Sequence, residues 1–309
     1  MSTYLRKHKR THLPPIDYRY GWNLSRGEHQ IQLLEALVTV GVGTRFCSPN
    51  CAPWGQDSRA SSVEERERRR SEEKPTLVFL ALACLIQVLL GRRYIVENSG
   101  YSDIFDQSPL QRLKLLSVFK ALLDQCACNA KFGGEYIRKR THFQSNEPLH
   151  YLQILCPGGH THLHLRGAGR AASAAQYPEE ECRRIMEDGC KKPVRTEDVS
   201  EGGSNPSLLI KMQTCESLEA KLQVLREIAE SKNIRTVWDW IFGAWLEVTD
   251  ANIAKKVLVT SEPSSVEESK DRKPENSLSQ ISKSELDESS VLRTTDKTRA
   301  CANTCLLYT

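Results

Sequence analysis

The chain has 309 residues, with 43 basic against 39 acidic side chains and a formal net charge of +4. At roughly 100 to 200 residues per domain it holds two domains at most, and so balanced a charge argues against nucleic acid as a partner on bulk electrostatics. Hydrophobic residues at 39% fall below the roughly 45 to 50% usual in globular chains. The expected class is therefore mainly α: small irregular helical bundles with long disordered linkers and a disordered C-terminal tail.

Residues 1–24 read as a basic disordered arm. Within it Leu5-Arg6-Lys7-His8-Lys9-Arg10-Thr11-His12 resembles the second half of a C2H2 zinc finger, with its leucine and H-x3-H spacing. That resemblance implies two upstream cysteines, and only Met1 to Tyr4 precede it. Over 25–43, Ser25 and Glu28 form a capping-box pair, and Ile31, Leu34, Leu37 and Val38 recur at helical spacing, which predicts a helix at about 26–40. Residues 44–74 contain Pro49, Pro53, Gly55 and the block SSVEERERRRSEEK, which has no apolar stripe and reads as a charged linker.

The span 75–165 is expected to be a helical region with a short hairpin. Its first part, Thr76 to Gly91, is the most hydrophobic window of the chain. Sixteen helical residues rise about 24 Å, short of a hydrocarbon core of about 30 Å. The preferred reading is a buried central helix in which Gln87 finds a hydrogen-bonding partner; the alternative is a single membrane span at 76–91. Ser108 and Pro109 then open a predicted helix over 109–129, with Leu110, Leu113, Leu116, Phe119, Leu122, Leu123 and Cys126 on one face. A hairpin is expected through Pro157-Gly158-Gly159, between Leu149–Leu155 and Thr161–Leu165.

Residues 166–206 are rich in Gly, Ser and charge and read as a linker carrying one short helix near Glu179 to Asp188. Residues 207–259 predict a helical hairpin, 207–231 and 234–249, on the spacing of Leu218, Leu222, Leu225 and Ala229 and of the run IRTVWDWIFGAWLEV. Residues 260–309 have one aromatic side chain, Tyr308, and read as a disordered tail.

Eleven scattered cysteines, an odd number, do not make a disulfide framework. The basic cluster at Met1 to His12 has no apolar run behind it, so no secretory signal is expected and the setting is intracellular, cytoplasmic or nuclear. Cys47-x3-Cys51 and Cys301-x3-Cys305 each resemble half a zinc site, neither with a neighbouring partner pair.

Pro157-Gly158-Gly159-His160-Thr161-His162-Leu163-His164 resembles the PG...HxH stretch that opens the barrel of metal-dependent amidohydrolases. On a strand, His160, His162 and His164 share one face, and Cys156 lies near enough to be a fourth ligand. These are weak metal candidates: the family's barrel implies further histidines and an aspartate downstream, and no histidine follows His164. No phosphate loop, dinucleotide fingerprint, nucleophile elbow or H-E-x-x-H is present. No catalytic residue, cofactor or small-molecule substrate is therefore expected. The reading is a non-enzymatic interaction or adaptor protein whose partner is another protein. Trp238, Trp240, Phe242 and Trp245 would supply the docking face, with helical-hairpin core as the competing role for the same aromatics. Ser265 and Ser284, each followed by acidic residues, are phosphorylation candidates in the tail. A metal-dependent hydrolase at Cys156 to His164 is the remaining alternative.

Overall fold

Two parallel strands and the helix between them set the frame. In the computed structural model, which describes residues 1–41, 43–55, 61–163, 175–190, 206–249 and the backbone of 304–308, β1 (Thr44–Ser48) lies beside β2 (Arg93–Ser99). Helices α1 (Ser2–Lys7) and α2 (Gly27–Thr39) precede β1, and the crossover helix α3 (Val63–Leu89) connects it to β2. After α4 (Ser108–Leu113), β3 (Phe119–Asp124) and β6 (Arg140–Ser145) extend the sheet, both pairings antiparallel. Strand β8 (Thr304–Tyr308) pairs antiparallel with the free side of β1, giving the order β3-β6-β2-β1-β8. A second, three-stranded sheet joins β4 (Lys131–Phe132), β5 (Glu135–Ile137) and β7 (His162–Leu163). Helix α5 (Glu179–Gly189) precedes α6 (Pro206–Thr214), α7 (Leu218–Ser231) and α8 (Arg235–Val248).

The expectation of a mainly α chain is thus overturned: the described residues form eight α-helices and two mixed sheets, an α/β fold. Successive residues of a strand point to opposite faces, and the two apolar clusters divide along that alternation. Cys47, Tyr94 and Val96 join α2, α3, α4, α7 and α8 on one side. Phe46, Ile95, Ala121, Leu123 and Phe143 join Ile185 and Met186 of α5 and Leu5 of α1 on the other. Strands covered on both faces carry continuous apolar runs rather than alternation. That is why RYIVEN of β2 left no strand signature in the sequence.

Helix α3 holds the molecule's centre. Leu77 to Ile86 are buried, and the buried Gln87 donates from Nε2 to the Arg93 carbonyl at 3.1 Å. Among the described residues no helix is long and apolar enough to cross a membrane, which removes the span at 76–91. The same helix extends back through the expected linker to Val63. Ser62 caps it by accepting from the Glu65 N–H at 3.2 Å, and Glu65 pairs with Arg68 and Arg69 one turn on. A polar helical surface of this kind is held by i,i+3 and i,i+4 pairs and by the buried segment that continues it. Arg70 ties it to the body, bonding Asp103 at 2.9 Å over the Trp54 ring.

Other boundaries also move. The predicted helix 109–129 stops at Leu113, and its second half is β3, because Phe119 to Asp124 pair residue for residue with β6. Tertiary pairing overrides a helical spacing that a strand can share. Helix α2 matches its prediction, but its N-cap is Arg26, and Ser25 donates to Asn23 Oδ1 at 2.6 Å instead of joining a capping box. The region 207–231 is two helices broken at Cys215 to Ser217, with Ser217 capping α7 through the Ala220 N–H. The expected disordered arm is anchored: Leu5 is fully buried in the α5-side cluster and Lys7 pairs with Glu179 at 2.7 Å. In the expected disordered tail, 304–308 form β8; the rest of it, including Ser265 and Ser284, lies outside the described residues.

Candidate metal centre

The expected hairpin through Pro157 does not close on itself. Its first limb bridges in parallel to β3 at Leu123 and Ile154, fixed by the Asp124 N–H to Ile154 carbonyl bond at 2.9 Å and the Ile154 N–H to Leu122 carbonyl bond at 3.1 Å. Its second limb, β7, pairs in parallel with β5, His162 opposite Tyr136. Two consequences follow for the side chains. The Leu123–Ile154 bridge brings Cys126, in the 3-10 turn Gln125–Cys128, level with Cys156. Gly158 and Gly159, at φ 79° and 75°, turn the chain back through conformations that a Cβ disfavours, so that His160 and His162 return to Cys156.

The result is a tetrad. Cys126, Cys156, His160 and His162 each present a ligand atom, all within 4.8 Å of one another. His162 Nε2 lies 3.4 Å from both Cys126 Sγ and Cys156 Sγ, and His160 Nε2 lies 3.6 Å from Cys156 Sγ. Zinc bonds of about 2.3 Å to sulfur and about 2.0 Å to nitrogen, set at the tetrahedral angle, place S and N about 3.5 Å apart. The observed separations match that value to within a few tenths of an ångström.

The surroundings fit the same use. Asp124, fully buried, accepts two bonds from the Arg140 guanidinium at 2.8 and 2.9 Å and one from the Cys156 N–H at 3.0 Å, which fixes the backbone of that ligand. Burial raises the Asp124 carboxyl, and the Arg140 bonds and Cys156 N–H outweigh it and hold the pKa below the ordinary value. Such outer partners orient metal ligands. The Gly158 N–H points to Cys156 Sγ at 3.4 Å, and the His160 ring packs 4.1 Å from that of Tyr136. Burial, reinforced by Cys156, pushes the Cys126 thiol up to about 11, and burial with the neighbouring His160 lowers His162. A cation inverts the thiol's preference, since the thiolate is the form that binds it.

Of the sequence candidates, then, Cys156, His160 and His162 converge; His164 lies outside the described residues. The residue the sequence did not single out is Cys126, 30 positions before Cys156. Its only sequence signal was the Cys126-x-Cys128 doublet, and Cys128 packs in the apolar cluster instead. Of the half-sites, Cys47 is buried and takes the Arg45 Nε at 3.1 Å, while the Cys301-x3-Cys305 pair lies outside the described side chains; among the described residues the tetrad alone groups three or more potential ligands. His8 of the zinc-finger resemblance stands 3.5 Å from Glu179, and His12 bonds the Arg10 carbonyl. The open five-stranded sheet is also not the eight-stranded barrel that the amidohydrolase resemblance implies.

The aromatic residues of α8 divide between core and margin. Trp238 and Trp245 are 2% and 0% exposed against α3, and Trp245 Nε1 donates to Gln30 Oε1 at 2.7 Å. Phe242 stacks on Trp238 at 5.2 Å, and the half-buried Trp240 lies under Arg112 at 4.7 Å. No family model, curated protein or solved structure matches the chain.

Proposed function

We propose that this chain is a zinc-binding protein in which Cys126, Cys156, His160 and His162 hold one structural ion. The observation that carries the reading is the convergence of four ligand atoms within 4.8 Å of one another, with three of the sulfur–nitrogen separations at 3.4 to 3.6 Å. Two thiolates and two neutral imidazoles neutralise Zn²⁺ and match its preference for tetrahedral S and N donors. Four protein donors fill the shell, so no position remains for water or substrate, and the role is binding rather than catalysis. An intracellular setting belongs to the same proposal, because a reducing compartment keeps both cysteines available as thiolates.

The test is metal content. Protein purified without added chelator is expected to carry one zinc per chain, and Cys126→Ser to lose it, while Cys128→Ser, two residues away, keeps it. Equal metal content in parent and Cys126→Ser would overturn the assignment.

A further inference from the structure

A cleft of about 920 Å³ opens outside the carboxyl ends of the parallel strands β1 and β2, on the face opposite α3. Ser48 and Pro49 of the first strand end and Glu97 and Ser99 of the second lie along it; α1 and the start of α5 face them across the gap. In open α/β sheets this is where strand ends leave space that no helix fills and where ligands settle. The volume lies within the usual range for small-molecule sites.

The chemistry at its base is specific. Glu97 is 3% exposed, yet its side chain borders the cleft. Oε2 accepts from Ser48 Oγ at 2.5 Å and Tyr177 OH at 2.8 Å, which locks the carboxylate in one orientation. Oε1 faces Lys139 Nζ at 3.8 Å, an ion-pair contact longer than a hydrogen bond, so this oxygen can still accept from an incoming hydroxyl. Desolvating a carboxylate is costly, and two hydroxyl donors with a distant ammonium use only part of its bonding capacity.

Around it the wall turns basic and aromatic. Arg6 has no ion pair among the described residues, and its neighbour Lys7 is held only by a surface contact to Glu179, of a kind that exchanges readily. Tyr4 and Tyr20 border the same space, Tyr20 being 59% exposed. A buried acceptor for hydroxyls, cations at the mouth and two phenol rings, one exposed and one half-buried, together describe a ligand with a polyhydroxyl centre and an anionic end.

We propose that this cleft binds a sugar phosphate, free or as part of a nucleotide, with sugar hydroxyls on Glu97 and the phosphate on Arg6 and Lys7. The site is separate from the metal tetrad, and its ligand chemistry departs from the sequence expectation of no small-molecule partner.

Calorimetric titration of the zinc-loaded full chain with ribose 5-phosphate, adenosine monophosphate, ribose and inorganic phosphate tests it. At least one of the first two is expected to bind, with ribose and phosphate alone tenfold or more weaker. Preference for adenosine monophosphate would identify a nucleotide, with the base against the tyrosines; parity would identify the free sugar phosphate. Glu97→Gln and Arg6→Ala are each expected to weaken binding by about tenfold. Arg6 is exposed, so its variant reports on the site even where Glu97→Gln disturbs folding. Absence of binding by both phosphorylated probes at millimolar concentration, or affinity unchanged in Arg6→Ala, would overturn the proposal.

Discussion

The helical side of the main sheet and the corner that carries the tetrad are built on opposite principles. On the helical side, α3 is enclosed by α2, α4, α7, α8 and the sheet, and its buried residues belong to one continuous apolar cluster. The corner has strands of two or three residues, and its own apolar cluster is Ala130 with Ile137. At about 25 cal/mol per Å² of buried apolar surface, two such side chains supply too little to order a three-stranded sheet. The difference teaches where an ion would contribute most: the segment least able to hold itself by burial is the one in which the four potential ligands converge. Structural zinc typically replaces a missing core in this way.

Stripping the metal should break the comparison most sharply. Binding free energies on the order of 10 kcal/mol are typical for structural zinc in small peptides. A strong chelator is therefore expected to expose 129–163 to limited proteolysis and hydrogen exchange, while α3 and α8 keep their protection. Uniform loss of protection would mean that corner and core unfold together.

The reciprocal experiment is Leu85→Ala in α3, a fully buried leucine among fully buried neighbours. A cost of about 2 to 5 kcal/mol is expected from lost burial and the cavity left behind. That loss should appear in global unfolding by denaturant and leave zinc stoichiometry unchanged.

A smaller, pH-dependent effect belongs to the opposite face of the sheet. Glu181 of α5 is fully buried with no hydrogen bond on either carboxyl oxygen. Burial pushes its pKa up to about 8; Lys139, the nearby Gln125 side chain and the Met1 amine oppose the shift, and Glu97 adds to it. A carboxyl whose folded pKa is raised contributes its stability fully below about 4.5 and loses it as pH rises through about 8. The protein should accordingly melt lower at pH 8 than at pH 5, by an amount Glu181→Gln largely removes. An equal slope in parent and variant would place the pH dependence elsewhere.

The helices whose ends carry local signals were legible in the sequence. Helix α5 follows Pro178 with acidic residues in its first turn, and the apolar face of α7 is plain in the sequence, although its capping Ser217 lay inside the single helix expected over 207–231. The sheet was not legible, for a physical reason. Strands such as β2, buried on both faces, and β3, whose Leu122 and Leu123 fit helical spacing equally well, acquire their identity from partners far along the chain. The site divides the same way. His160, His162 and Cys156 stand within seven residues and were visible as a group, whereas Cys126 joins them only through the Leu123–Ile154 bridge. In the Trp-rich helix, Trp238 and Trp245 are buried against α3, in keeping with the core role that the spacing offered beside docking.

The central claim rests on coordination, and X-ray absorption at the zinc edge of the purified full-length protein reads it most directly. Two sulfur ligands at about 2.3 Å and two nitrogen ligands at about 2.0 to 2.1 Å are predicted, with one sulfur lost in Cys126→Ser. A shell of oxygen ligands, or a sulfur count that Cys126→Ser leaves unchanged, would contradict it.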